Sequence, residues 1–168
     1  ALSGGVAGDV GQALLADDVD TATRLAKHWM NVFPNSYYLE IQRTGKANEL
    51  RYNQQIIQLA DSHNLPLVAT NSVCFLNKDD HEAHEERVCI RDGLTLADPR
   101  RKICYSQEQY LRSADEMTKL FSDLPQALQN SVEISKRCTK KLELGDSYLP
   151  NFPTPQGKSV EEYLSDLS

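Results

Sequence analysis

The sequence is poor in the features that mark several protein classes. Its 168 residues hold only 4 Cys, none spaced Cys-x-x-Cys, which excludes a disulfide scaffold and makes reduced thiols in a cytoplasmic protein the expectation. No apolar run approaches the ~18 residues of a membrane span. The first residues lack the succession of basic start, apolar stretch and small-residue cleavage site that builds a signal peptide. Basic residues are outnumbered, 18 Lys+Arg against 24 Asp+Glu, for a net charge of −6, which argues against non-specific nucleic-acid binding by this piece alone. There is no glycine-rich phosphate loop, internal repeat or low-complexity tract, and spacing alone builds no Ser-His-Asp or Cys-His arrangement. The chain opens on Ala1-Leu2-Ser3-Gly4 without Met and stops soon after a new helix begins, so both ends read as cut from a longer protein.

What is present reads as one ordinary domain. Apolar residues make up 40%, far above the disordered regime. Ala22, Leu25, Ala26, Trp29 and Phe33 recur at three- and four-residue steps and predict a helix from about Asp18 to Phe33, capped by Asp18 or Asp20 and ended by Pro34. Tyr37 to Gln42 has the aromatic and β-branched content of a strand, and Arg43-Thr44-Gly45 reads as a turn. A second helix is expected from a cap at Asn48 to about His63, with Tyr52, Ile56, Leu59 and Ala60 inward. Leu65 to Thr70 then fits a strand buried on both faces. Helix, strand, helix, strand implies right-handed crossovers and a parallel sheet.

The second half is richer in helix. A charged helix is predicted over Asp79–Arg91 with Gly93 to end it, and a short one capped by Ser106. Another is opened by the capping box Ser113-Ala114-Asp115-Glu116. Asp123-Leu124-Pro125 opens a longer helix to about Cys138, with Leu124, Leu128, Val132, Ile134 and Cys138 expected inward. Pro150, Pro153 and Pro155 make an extended linker, and Ser159-Val160-Glu161-Glu162 caps a last helix. A domain boundary is therefore expected within residues 146–157.

In parallel α/β folds, function collects where strands end. Here that means Gln42-Arg43-Thr44-Gly45 and Thr70-Asn71-Ser72-Val73-Cys74-Phe75. Arg43 can bind a phosphate or carboxylate, or hold the loop by bonding nearby carbonyls or Glu40; the structural role is favoured. His81-Glu82-Ala83-His84 lacks His-Glu-x-x-His spacing, and a solvated helix with Arg87 and Arg91 pairing to glutamates is favoured over a metal site. The cysteines, Trp29, Phe33, Tyr105 and Tyr110 read most simply as core.

The ordered series Leu2-Ser3-Gly4, Tyr38-Leu39-Glu40-Ile41-Gln42-Arg43-Thr44-Gly45 and Leu65-Pro66-Leu67-Val68-Ala69-Thr70-Asn71 continues with Ala83-His84-Glu85 and Arg87-Val88-Cys89-Ile90. It closes with Tyr105-Ser106, Tyr110-Leu111-Arg112-Ser113 and Leu149-Pro150-Asn151-Phe152-Pro153. Together these resemble the bacterial replicative, C-family DNA polymerases. The resemblance covers essentially the whole chain.

It implies an α/β fold: the last parallel strands of a PHP-type (β/α)₇ barrel (polymerase and histidinol phosphatase) with a helix-rich C-terminal half. Residues 1–145 would be the C-terminal portion of the PHP domain, and 146–168 a Pro-rich linker and the start of the palm. Early metal-binding His motifs would precede Ala1, and the palm carboxylates that hold Mg²⁺ would follow Ser168. The fragment alone is therefore expected to be inactive, with no catalytic or cofactor-binding residue of its own.

One metal motif of such domains falls inside the chain. Members that keep the metal read Asn-Asp-Val-His-Phe; here it reads Asn71-Ser72-Val73-Cys74-Phe75, so Ser72 and Cys74 occupy degenerate ligand positions. Serine is a poor ligand, whereas a Cys74 thiolate suits zinc; losing both native donors is expected to leave the centre defunct. The favoured role is a non-catalytic scaffold that stabilises the polymerase and docks the proofreading 3′–5′ exonuclease subunit. The sliding clamp, other holoenzyme subunits and DNA are partners of the whole protein, and no membrane is involved. The rival is a metal-dependent phosphoesterase or intrinsic proofreading exonuclease.

Overall fold

The structure is a computed structural model that describes residues 1–142, 145, 153–155 and 157–168. Its contacts divide the chain into two compact units, Ala1–Cys138 and Thr139–Ser168. The boundary expected within 146–157 and the motif at 149–152 fall largely outside the described residues.

The first unit is mixed α/β. After a 3₁₀ turn at Gly5–Ala7 come α1 (Asp9–Leu15), α2 (Val19–Val32), β1 (Leu39–Gln42), α3 (Glu49–His63) and β2 (Leu67–Thr70). There follow α4 (His81–Asp92), α5 (Ala114–Leu120) and α6 (Pro125–Arg137). Asp18 caps α2 by accepting from the Thr21 N–H at 2.9 Å, as its position predicts. Asn48 caps α3 differently: its side chain accepts nothing from the helix, and the residue instead supplies a left-handed turn at φ 67°. Gly93 ends α4 in the same left-handed region at φ 66°.

Strands β1 and β2 pair in parallel with Leu39 opposite Leu67 and Gln42 opposite Thr70. Both are shorter than their hydrophobic runs. Pro66 has no N–H to give, so the ladder begins at its carbonyl, which accepts from Leu39 N at 2.8 Å. Leu2 forms a further parallel bridge with Tyr38, through Ser3 N to Tyr38 O and Tyr38 N to Ala1 O, both at 3.0 Å. Residues 1–3, β1 and β2 therefore lie side by side in chain order.

Helix α3 covers β1, with Tyr52 buried and its hydroxyl donating to the Glu40 carbonyl at 2.7 Å. Helix α6 covers β2, and the Asn130 amide donates to the Leu67 carbonyl at 2.7 Å. Val10, Leu14, Leu39, Ile41, Tyr52, Ile56 and Phe121 form the core. Gly8 is dictated by a close approach, since a Cβ there would stand 1.7 Å from the Ser3 carbonyl oxygen.

Several expectations are corrected. No helix follows Ser106; the segment makes one turn, then bridges in parallel from Tyr110 to Phe75. The Ser106 hydroxyl is drawn to the Thr44 carbonyl at 2.5 Å, and the Gln109 side chain takes the Ser106 N–H, so tertiary pairing overrides the local helix signal. On α6 the inward stripe runs through Leu124, Ala127 and Leu128. Val132 lies off that stripe and is exposed, and Cys138 is exposed where the helix ends. Phe33 is also exposed and Trp29 half-buried, the two rings stacked at 6.1 Å with the indole N–H on Asp9.

The second unit contains α7 (Val160–Leu167), begun by a capping box in which Ser159 Oγ accepts from Glu162 N and Glu162 accepts from Ser159 N. Among the described residues no helix is long and apolar enough to cross a membrane.

Candidate functional site

The loops that leave β1 and β2 lie together, as the parallel pairing requires. They border a hollow of about 240 Å³ lined by Gly4, Gln42, Lys46, Glu49 and Ser72. Glu49, which lines it, and Glu40, on β1 beside it, are both engaged by neighbouring donors. Glu40 accepts from the Gln42 amide at 3.0 Å and from the Thr70 hydroxyl at 2.5 Å. Glu49, buried, accepts from Thr44 N at 2.7 Å, Gly45 N at 2.9 Å and Thr44 Oγ1 at 2.5 Å. These bonds fold the β1 loop back onto the first turn of α3.

Arg43 takes the structural role favoured for it, with partners the sequence did not show. Its guanidinium forms two bonds of 2.7 Å to Asp123 and one of 2.6 Å to the Leu120 carbonyl, and it lies 4.8 Å from the Phe121 ring centre. The guanidinium holds the Asp123 carboxyl below the usual carboxylate range.

Past β2, Asn71 is buried and its amide donates to the Glu108 and Tyr110 carbonyls at 2.9 and 2.8 Å. Ser72 turns the chain with φ 46°. The Gln109 Nε2 lies 2.9 Å from the Ser72 carbonyl, 3.3 Å from Ser72 Oγ and 3.4 Å from Cys74 Sγ. The Cys74 thiol points to the same Ser72 carbonyl at 3.3 Å. Residues 72 and 74 therefore converge, but on an amide nitrogen. The donors present do not fit a hydrolytic metal: one hydroxyl and one thiol, both already engaged. Among the described residues no three His, Cys, Asp or Glu side chains gather as a metal cluster would. Sequence reasoning missed Gln109; a glutamine in a turn carries no signal of its own.

His81 and His84 face aromatic neighbours. The His84 ring lies 4.5 Å from Tyr105 and 5.5 Å from Phe75, and His81 lies 5.8 Å from Phe75. Burial lowers the His84 pKa. The ion pairs on α4 differ from the expected pairing of Arg87 and Arg91 to glutamates. Buried Glu85 pairs with Arg101, which the 94–105 segment carries over the helix, and Arg91 pairs with the adjacent Asp92. Of the cysteines, Cys89 is buried, Cys74 half-buried, and Cys104 and Cys138 exposed. Tyr105 and Tyr110 are half-buried, and Arg112 stacks over the Tyr110 ring at 4.6 Å.

The Tyr110 hydroxyl donates to Glu116 at 2.5 Å, joining the Phe75–Tyr110 bridge to the capping box of α5. That hydroxyl, with the Ser113 N–H and hydroxyl, holds the Glu116 carboxyl at about 2. A depressed folded-state pKa contributes stability that is present above the ordinary glutamate value of 4.5 and is lost as the pH falls toward 2. Acid titration of the urea midpoint is expected to show this loss in the parent and a smaller one in Glu116→Gln. Parallel curves in that interval would refute it.

No protein-family model matches the chain. The chain is 49% identical over 168 residues to the DNA polymerase III subunit alpha of Pseudomonas aeruginosa, covering 100% of this chain and 14% of that protein. It is 48% identical over 167 residues to the subunit of the same name from Haemophilus influenzae, covering 99% of this chain and 14% of that protein. For Escherichia coli K12 the identity is 47% over 163 residues, covering 97% of this chain and 14% of that protein. Over its whole length the chain is thus homologous to one segment of DNA polymerase III subunit alpha, and it spans 14% of the length of these relatives.

Proposed function

We propose that this homologue of a DNA polymerase III subunit alpha segment is the later part of that subunit's PHP domain, residues 1–145, with 146–168 leading into the palm. The whole protein carries out template-directed DNA synthesis in the cytoplasm, with Mg²⁺ held by palm carboxylates outside this chain. The observation that carries this reading is 45–49% identity along essentially the full chain to proteins of that name. The (β/α)₇ barrel belongs to the same proposal. It is supported by three neighbouring parallel segments in unbroken chain order, the sequence in which barrel strands follow one another.

Within the polymerase this segment is a non-catalytic scaffold that docks the proofreading 3′–5′ exonuclease, beside the sliding clamp and other holoenzyme subunits. Two facts favour a scaffold over a metal-dependent phosphoesterase. Ser72 and Cys74 both bond to Gln109, and the acids at the strand ends are occupied by neighbouring donors. Two measurements on the full-length polypeptide test the proposal. Primer extension with Mg²⁺ and all four nucleotides is expected to proceed and to stop on chelation; absence of synthesis refutes the polymerase reading. Capture on immobilised exonuclease subunit is expected; no capture of an active polymerase refutes docking alone.

A further inference from the structure

The amide that meets Ser72 and Cys74 is fixed at both ends. Gln109 is fully buried. Its Oε1 accepts from Ser106 N at 3.1 Å, while its Nε2 points at the Ser72 carbonyl, Ser72 Oγ and Cys74 Sγ. Its backbone is tied to the same two loops. Cys74 N donates to the Gln109 carbonyl at 2.8 Å, and Gln109 N donates to the Ser106 carbonyl at 3.3 Å. Swinging the side chain away would strand a buried donor and a buried acceptor at once.

We propose that Gln109 is a built-in substitute for a cation: its NH₂ group occupies the point where the side chains of residues 72 and 74 converge, and so keeps metal out. The proposal rests on reading 72 and 74 as former ligand positions. An amide NH₂ carries partial positive charge and only donates, so it selects acceptors as a cation does. Three acceptors surround it here, one of them the carbonyl of Ser72, which the left-handed turn at that residue helps to aim. A carboxylate restored at position 72 would therefore give the amide a stronger acceptor. Restoring the ligands alone would tighten the plug rather than reopen a site.

The test uses the full-length polypeptide that carries this segment, in three forms. These are the parent, the pair Ser72→Asp with Cys74→His, and the same pair with Gln109→Glu. The last change keeps the oxygen that meets Ser106 N and replaces the NH₂ with a second oxygen, which completes a three-donor set. Zinc per chain is read by elemental analysis after equilibrium dialysis, and the melting midpoint is read with and without zinc. The parent and the pair are expected to stay far below one zinc, with midpoints indifferent to it. The triple variant is expected to bind at least ~10-fold more tightly than the pair, the scale on which neighbours of a metal site act. Its midpoint should rise with zinc.

Zinc bound as tightly by the pair as by the triple variant would overturn the proposal. So would a folded triple variant that binds none. If Gln109→Glu prevents folding, Gln109→Ala on the same pair decides by the same comparison with the pair. Neither readout involves exonuclease or template, so failure here is distinct from failure of the polymerase or docking reading.

Discussion

Phe121→Ala is expected to lower the unfolding free energy by about 3–5 kcal/mol, the range for emptying a buried aromatic site. Phe121 has no solvent exposure, although it stands in the short connection between α5 and α6, where exposure is the rule. The ring reaches into the core cluster, and the Arg43 guanidinium lies 4.8 Å from its centre. The alanine change therefore leaves a cavity and also uncovers one side of Arg43, whose bond to the Leu120 carbonyl depends on that side chain staying in place. Asp123 stays bonded to Arg43 from the exposed side, so the surface pair cannot restore the lost packing. Equilibrium urea unfolding checks this: the midpoint should fall steeply at unchanged slope. Val132→Ala, on the exposed flank of α6, is expected to stay within about 0.5 kcal/mol of the parent. Equal losses at the two positions would mean that the α5–α6 connection is not part of the core.

Phe121 also shows where sequence reading stops. Periodicity located α2, α3 and α6 because each has a helical repeat long enough to stand out, and it located both strands because they are short apolar runs bounded by turn residues. A lone Phe between a capping box helix and Asp123-Leu124-Pro125 has no repeat to belong to. The Phe75–Tyr110 bridge was illegible for the same reason: one pairing of residues 35 apart has no local pattern, and Ser106 pointed to helix instead. Ser72 and Cys74 could be picked out from a motif, but what they touch could not, because Gln109 is brought to them by that same bridge. Arg43 was legible as a turn residue with a structural role. Its partners lie 77 and 80 residues away and depend on how α5 and α6 return to the sheet. Local residues thus fix the elements, while the contacts that define the loops at the strand ends come from distant segments that carry only weak signals.

Glu49 carries the second large effect; it sits in the first turn of α3, where the sequence reading named only a cap at Asn48. The carboxylate is 4% exposed and serves three donors: the Thr44 N–H, the Thr44 hydroxyl and the Gly45 N–H. Thr44 is itself fully buried, so its N–H has no water to turn to. Glu49→Ala leaves the N–H and hydroxyl of buried Thr44 unpaired, while the N–H of exposed Gly45 can turn to water. At about 1–3 kcal/mol for each stranded buried donor, a loss of about 4 kcal/mol is expected. Glu49→Gln keeps the length and one oxygen but places an NH₂ group among groups that must donate, and about 2 kcal/mol is expected. Thr44→Val removes only the hydroxyl and keeps the shape, for about 1 kcal/mol. The order Ala, then Gln, then Val in urea midpoints is the signature of a hydrogen-bonded anchor. A helix that merely favoured an acid near its start would lose no more than about 1 kcal/mol in any of them. The same anchor positions the hollow at the strand ends. Glu49 and Lys46 line that hollow, while Arg43 on the same loop reaches Asp123. Hydrogen exchange should therefore rise at Thr44 and Gly45 in Glu49→Ala while the β1–β2 ladder stays protected; unchanged exchange at those two amides would mean that the carboxylate does not hold the loop.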